Sequence, residues 1–276
     1  MSSEGLGSSI IEATLGTVRR KKVAFLRELQ VAHERPPHIE HWDVTKVLET
    51  LTSQGRIYTR KYKGHRWYYD TSSEWLSIKD LADRKAGLVK YYINYPNEFT
   101  SQPQRVRYDD YSEYLVENAL VTLGFVVMAR NTAYFNGVHY FKQYFVPGRP
   151  PDLDFTALTP KGRIPIGISV KNKLDYPSDD EVDQLVEICE FLKLRPVLVT
   201  RIASGKAASR LFTLGGGVVM FKRWLLPPEM PRGMFNQISD AGASESLLEY
   251  PLSIYRRTPD MLLNRIQELL RRAFGE

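Results

Sequence analysis

The stretch from Pro150 to Lys173, PPDLDFTALTPKGRIPIGISVKNK, constrains the fold of this chain more than any other. In its first run, apolar residues alternate with Asp152, Asp154 and Thr156, and the returning run IPIGI alternates again. This period of two is typical of β-strands. Pro-Lys-Gly-Arg between the runs is typical of a turn. We therefore predict a β-hairpin.

The open end of this hairpin carries ionisable side chains. Asp152 and Asp154 lead into the first strand, and Lys171 leaves the second strand on the same face as Ser169. Carboxylates bind divalent metals, and a lysine beside them can position or activate water for phosphodiester hydrolysis. The alternative interpretation is that the aspartates are exposed at a strand end and that Lys171 lies on an edge strand.

The motif Pro151-Asp152, with Asp154, followed by Ser169-Val170-Lys171 resembles that of the PD-(D/E)xK nuclease superfamily, which includes restriction enzymes and archaeal Holliday-junction resolvases. The segments DYSEYLVENALVTLGFVV and SDDEVDQLVEICEFLKLRPVLVTR resemble the helix–strand pairs on either side of that hairpin. The resemblance spans residues 108–201. It implies an α/β fold with a mixed-sheet, restriction-endonuclease-like core.

The resemblance also implies roles for individual residues. Asp154 would bind Mg²⁺, with Asp152 beside it and Mn²⁺ as an alternative ion, and Lys171 would orient water. Glu113 on the preceding helix would be a further ligand, with Glu117 as the fallback. Glu113 continues a buried stripe, where a carboxylate is costly unless a cation meets it. The alternative is a first-turn glutamate favoured by the helix dipole.

Ser169 stands where the family usually has Asp or Glu, and a hydroxyl is a poorer Mg²⁺ ligand than a carboxylate. Some restriction enzymes with Ser-x-Lys take the missing acid from the following helix. Here that helix offers Glu187, with Asp183 as the alternative. The rival hypothesis is a nuclease fold that has lost activity and binds DNA. An RNA-processing endonuclease is less favoured, because His139 is the only histidine in this half.

The N-terminal half shows a different pattern. A helix is predicted from about Ile10 to Val31, and a second one with an apolar stripe ends at Gly55. Two strands, Ile57–Arg60 and Arg66–Tyr69, follow around Lys-Gly-His. This order resembles a winged-helix module, in which the second helix would offer Thr45, Thr52, Ser53 and Gln54 to a DNA groove.

Positive charge is concentrated in that hairpin, because the segment 56–69 has no acidic residue. Such a strip can neutralise phosphates. The alternative is a winged helix used for protein contacts. Our predicted DNA contacts are Lys46, Arg56, Arg60, Lys61, Lys63, Arg66 and, in the other half, Lys173.

The whole chain of 276 residues is long enough for two domains, which we place at residues 1–100 and 101–276. Its net charge of +6 favours a polyanionic partner. The single cysteine, Cys189, excludes an internal disulfide, and no run is apolar enough to span a membrane. We expect a cytoplasmic protein that acts on double-stranded or branched DNA. A homodimer would match the two strands to be cut.

Overall fold

The computed structural model describes residues 7–34, 39–99, 108–140, 152–173, 176–222, 224–226, 252–254 and 257–276. They fall into two compact units, the first within Met1–Arg105 and the second within Val106–Glu229 and Leu252–Glu276. Each unit has its own hydrophobic core. The described residues include no helix that is long and apolar enough to cross a membrane.

The first unit begins with helix, strand and helix where the sequence predicted one helix over residues 10–31, so that prediction is wrong. Helix α1 ends at Lys21, and Lys22 turns the chain with a φ of 60°. Three buried residues, Val23–Phe25, then pair antiparallel with a later strand. The elements are α1 (Ser8–Lys21), β1 (Val23–Phe25), α2 (Leu26–Ala32), α3 (His41–Ser53), β2 (Ile57–Tyr62), β3 (His65–Asp70) and α4 (Trp75–Phe99).

Helix α3 and the β2–β3 hairpin match the sequence prediction for this unit. Val44, Val47, Leu48 and Leu51 of α3 are fully buried in the core. The hairpin turns at Lys63-Gly64, where both φ angles are positive, as a two-residue hairpin loop requires. The sheet order is β1-β3-β2. The sequence of residues 74–95 predicts a helix that ends at Tyr95-Pro96-Asn97, and helix α4 instead continues to Phe99.

The second unit is a mixed α/β structure, which confirms that part of the predicted fold. Its five-stranded sheet has the order β10-β9-β8-β7-β4, with β8, β9 and β10 parallel and β7 antiparallel to both neighbours. The elements are α5 (Tyr108–Thr122), β4 (Val126–Thr132), β5 (Tyr134–Phe135), β6 (Val138–His139), β7 (Leu153–Leu158), β8 (Pro165–Lys171), α6 (Asp179–Leu192), β9 (Arg195–Thr200), α7 (Gly205–Thr213), β10 (Gly217–Met220), β11 (Trp224–Leu226), β12 (Leu252–Ile254) and α8 (Asp260–Leu269), which ends in a π-helical turn at Leu270–Phe274.

The predicted hairpin is formed by β7 and β8, with Phe155 opposite Ile168. It is buried on both faces rather than half-buried, since every residue of Leu153–Ala157 is buried. One face of the five-stranded sheet packs on α5 and α8 and the other on α6 and α7. Gly167 permits the close approach of α6, because a Cβ there would lie 2.5 Å from the Cys189 Sγ.

Strand β8 lies in the middle of the five strands. Lys171 is therefore not an edge-strand lysine, which removes that alternative interpretation. A Ser followed by Glu three residues later, Ser178 and Glu181, predicts a capping box at the start of α6, and the structure has it. Helix α7 was not predicted. The sequence from Pro227-Pro228 to Gly242 favours a loop, and this segment lies outside the described residues.

Candidate active site

A cleft of about 420 Å³ opens where the β7–β8 hairpin ends. Five of the predicted catalytic residues line it, and so does Lys173, which was predicted to contact DNA. Strands β7 and β8 and the residues next to their ends supply seven of the eleven lining residues, while Glu113 comes from α5 and three residues come from α6. The lining residues are Glu113, Asp152, Asp154, Ser169, Val170, Lys171, Asn172, Lys173, Glu181, Gln184 and Leu185.

Asp154 is the most deeply placed acid of the cleft, with 8% of its surface exposed. Its Oδ2 accepts a hydrogen bond of 2.6 Å from the Val170 backbone N–H. Burial raises the pKa of Asp154, while the charge of Lys171 and the hydrogen bonds from Val170 and Ser169 act in the opposite direction. The neighbouring strand therefore fixes the carboxylate, which remains partly desolvated at the cleft.

Lys171 ends β8 opposite Thr200 and is half-buried. Its charge acts to lower the pKa of two acids that line the cleft, Asp154 and Glu181. A single ammonium group thus lies within electrostatic reach of acids from both the hairpin and α6.

Asn172 and Arg201 hold the chain directly after Lys171, and the sequence analysis missed both. The Asn172 Nδ2 donates to the Leu225 carbonyl oxygen at 2.7 Å, and the Leu225 N–H donates to its Oδ1 at 3.0 Å. The fully buried Arg201 donates from Nε to the Lys173 carbonyl oxygen at 3.2 Å. These contacts join residues that are far apart in sequence, so no local sequence pattern could predict them.

Glu181 is a further cleft residue that the sequence analysis missed, since it was assigned only to the cap of α6. Its Oε2 accepts hydrogen bonds from the Ser178 N–H at 2.7 Å and from the Lys173 ammonium group. Burial acts to raise the pKa of Glu181, but these two donors and the nearby Lys171 hold it below its ordinary value. The available signal was its place in the first turn of the helix after Lys171.

The acids predicted to replace the missing carboxylate do not line the cleft. The Glu187 Oε1 accepts a hydrogen bond of 2.6 Å from the Tyr140 hydroxyl, and burial together with this carboxylate raises the pKa of Tyr140 to about 12. Asp183 pairs with Arg210. Glu187 is six residues after Glu181, roughly 240° around the helix. The fallback ligand Glu117 pairs with Arg130 instead.

The side chains that line the cleft offer donor atoms of the type that binds a divalent metal. Four carboxylates line it, and oxygen ligands are those that Mg²⁺ prefers. Among the described residues, however, no three Asp, Glu, His or Cys side chains are grouped closely enough to hold an ion as they stand. One of the carboxylate side chains that line the cleft would have to turn inward to complete a metal site.

The basic residues predicted to bind DNA differ in their surroundings. Arg56 pairs with Glu12 at 2.7 Å, and Lys63 pairs with Asp83 at 2.5 Å. Arg60 lies over the Trp75 ring, 5.0 Å from its centroid, and Lys46 lies 6.0 Å from the centroid of Trp42. Lys61 and Arg66 are exposed and directly opposite each other across β2 and β3.

Thr45 does not offer its hydroxyl to a groove as predicted. It donates to the His41 carbonyl oxygen at 3.0 Å and accepts from the Gln30 amide at 3.1 Å. Thr45 is half-buried and faces α2.

Comparisons with protein-family models, with curated proteins and with solved structures gave no match to this chain.

Proposed function

We propose that this chain is a metal-dependent DNA endonuclease with a restriction-endonuclease-like unit and an N-terminal winged-helix unit that binds DNA. The observation that carries the proposal is the cleft at the open end of the β7–β8 hairpin, which is lined by Asp152, Asp154, Ser169 and Lys171. Two acids and a lysine at the open end of a hairpin are the groups that phosphodiester hydrolysis needs.

The roles follow from the position of each group. Asp154, held by the Val170 N–H, is a fixed anion at the base of the cleft. Lys171 neutralises charge beside it and orients the attacking water. Asn172 and Arg201 keep the end of β8 in place, which fixes the Lys171 backbone.

Mg²⁺ is the proposed metal, with Mn²⁺ as an alternative. Asp154, with Asp152, Glu113 and Glu181, would hold it. When bound, the metal would stabilise the negative charge that develops on the phosphate and lower the pKa of the attacking water. Because Glu181 lines the cleft and Glu187 does not, Glu181 replaces Glu187 as the proposed source of the acid that Ser169 lacks.

The substrate we propose is double-stranded or branched DNA, cut by a homodimer, since two-fold DNA sites match two-fold proteins. A second candidate function is DNA binding without cleavage. Ser169 favours it, because the carboxylate usual at that position is absent and no three acids are grouped in the described residues.

The test is cleavage of plasmid, branched DNA and RNA by the full chain with Mg²⁺, Mn²⁺ or EDTA. We expect metal-dependent cutting of DNA. Lys171→Ala and Asp154→Asn should each lower the rate by roughly 10²–10⁴-fold, the range for removing a proton-transfer or positioning group. Circular dichroism should show an unchanged fold. Asp183→Asn is the matched control, because Asp183 is an exposed acid of α6 that pairs with Arg210.

Cutting that persists in EDTA, or full activity of both cleft variants, would refute the proposed chemistry. DNA binding without cutting by the wild type, combined with cutting by Ser169→Glu, would favour the second candidate.

A further inference from the structure

We propose that the first unit contacts DNA through the β2–β3 hairpin, at the phosphates, and that the exposed face of α3 does not read base sequence. This inference deepens the proposed DNA binding and rests on it. The expected partner is therefore the sugar–phosphate backbone of a DNA duplex of any sequence.

The exposed face of α3 carries little that could read a groove. Its outward stripe contains Trp42, Lys46, Glu49 and Ser53, so its one cation is matched by one carboxylate. The half-exposed Trp42 lies against Lys46. A helix in the major groove usually presents several cations or amides to phosphates and base edges.

The hydroxyl groups of α3 are turned back onto the helix itself. Thr50 donates to the Lys46 carbonyl oxygen at 2.9 Å, Thr52 to that of Leu48 at 2.7 Å and Ser53 to that of Thr50 at 2.8 Å. These donors are occupied before any base edge approaches. The sequence suggested a polar reading face, but the structure uses much of that polarity internally.

The β2–β3 hairpin, in contrast to α3, presents exposed positive charge. Lys61 and Arg66 are exposed, lie directly opposite each other and have no acidic partner among the residues that the structure describes. Like charges at directly opposed positions destabilise a strand pair. A phosphate between the two side chains would remove this repulsion, which makes the pair a site for an anion.

Two other basic residues of the hairpin region, Arg56 and Lys63, are already neutralised by acids of the unit, and Arg60 lies over the Trp75 ring. Arg56 pairs with Glu12, and Asp83 pairs with both Lys63 and Lys79. We therefore expect Lys61 and Arg66 to contribute more to phosphate binding than Arg56 and Lys63.

The experiment measures fluorescence anisotropy of the full chain with fluorescein-labelled duplexes of equal length and unrelated sequence, over a salt series in EDTA. Lys61→Gln with Arg66→Gln should reduce the slope of log affinity against log salt by about two, one for each phosphate contact. Trp42→Ala with Lys46→Gln should leave the slope unchanged. The wild type should bind the unrelated duplexes equally.

Unfolding of the DNA-free hairpin variant provides a second readout, since removing the opposed charges should not lower its stability. An unchanged slope in the hairpin variant, a reduced slope in the helix variant, or strong sequence preference lost with Lys46→Gln would overturn the inference while DNA binding stands. A wild type that binds no DNA would overturn the proposed DNA-binding function as well.

Discussion

In each unit a carboxylate is buried beside lysine, and the two clusters differ in their access to solvent. In the first unit Glu28, Lys21 and Lys85 are all fully buried. The Lys85 Nζ lies 2.9 and 3.0 Å from the two Glu28 carboxylate oxygens, and the Lys21 Nζ lies 3.4 Å from one of them. In the second unit Asp154 is 8% exposed and Lys171 half-buried at an open cleft.

The protonation properties of the two acids do not distinguish these arrangements. Burial raises the pKa of Glu28 and of Asp154, and the neighbouring lysines oppose it in both cases. The two clusters differ in whether a ligand can reach the carboxylate. The Glu28 cluster has no exposed surface through which a ligand could enter, whereas the Asp154 cluster lines a cleft. A perturbed acid is a candidate for chemistry only where substrate can reach it.

The closed cluster instead connects helices. Lys21 belongs to α1, Glu28 to α2 and Lys85 to α4, and the Lys85 Nζ also donates to the Val23 carbonyl oxygen of β1 at 2.6 Å. Burying charges is costly, and the cost is offset only when every partner is in place. The cluster therefore joins three helices and one strand of the first unit through one set of buried charges.

The largest expected effect follows from breaking that cluster. Glu28→Gln leaves two buried lysines facing a neutral amide and should cost about 3–5 kcal/mol. Replacing all three residues with apolar side chains, as Lys21→Met, Glu28→Leu and Lys85→Met, should recover most of the loss. Urea unfolding followed by tryptophan fluorescence measures this, because Trp42, Trp67 and Trp75 are three of the four tryptophans and lie in the first unit.

The control is Asp83→Asn, which removes the charge from a half-exposed pair with Lys63 and Lys79. The amide oxygen can still accept the hydrogen bond from the Tyr62 hydroxyl, so the midpoint should change little. If Glu28→Gln unfolded at the wild-type midpoint, the buried cluster would not hold the unit together, and the contrast with the cleft would fail.

The sequence could predict those parts of the cleft that depend on local pattern. Alternation and a Pro-Lys-Gly-Arg turn placed the hairpin, and its register then brought Asp154 and Lys171 to the same end. The capping box at Ser178 placed the start of α6. These features depend on residues within a few positions of each other, where backbone geometry dictates the period.

Contacts between distant segments could not be predicted in this way. Lys85 meets Glu28 across 57 positions and Asn172 meets Leu225 across 53. Strand β1 was hidden because Val23–Phe25 also fits a helical stripe, and only pairing with β3 reveals it as a strand. Glu181 was assigned to a cap, although the same carboxylate also pairs with Lys173. The local sequence pattern around Glu181 indicates its capping role but not its contact with Lys173.

A smaller effect of the opposite sign is expected when the charge of the open site is removed. Asp154→Asn should lower the rate of cleavage by roughly 10²–10⁴-fold. It should nevertheless raise stability at pH 7 by about 1 kcal/mol, a common size for a stabilising substitution. The amide oxygen can still accept from the Val170 N–H, and Ser169 can accept from the new amide. The desolvated charge disappears, so the cost of burying it disappears too.

The pH dependence fixes the sign of this effect. Because the pKa of Asp154 is raised in the folded state, its contribution to stability is fully present below the ordinary Asp range, near pH 4, and is lost as the pH rises through the folded pKa. In Asp154→Asn the amide does not titrate, so the variant does not lose this stability as the pH rises. The two proteins should therefore be equally stable below about pH 4 and diverge toward pH 7, with the variant the more stable.

Hydrogen exchange of the β7 and β8 amides in EDTA measures the difference at the hairpin itself, apart from unfolding of the first unit. The pH dependence that arises from Glu28 is common to both proteins and cancels in the comparison. If Asp154→Asn were instead destabilised by several kcal/mol at pH 7, Asp154 would act as Glu28 does, as part of the framework. Burial with a raised pKa would then identify a structural acid in both units, and the assignment of the cleft to chemistry would lose its main support.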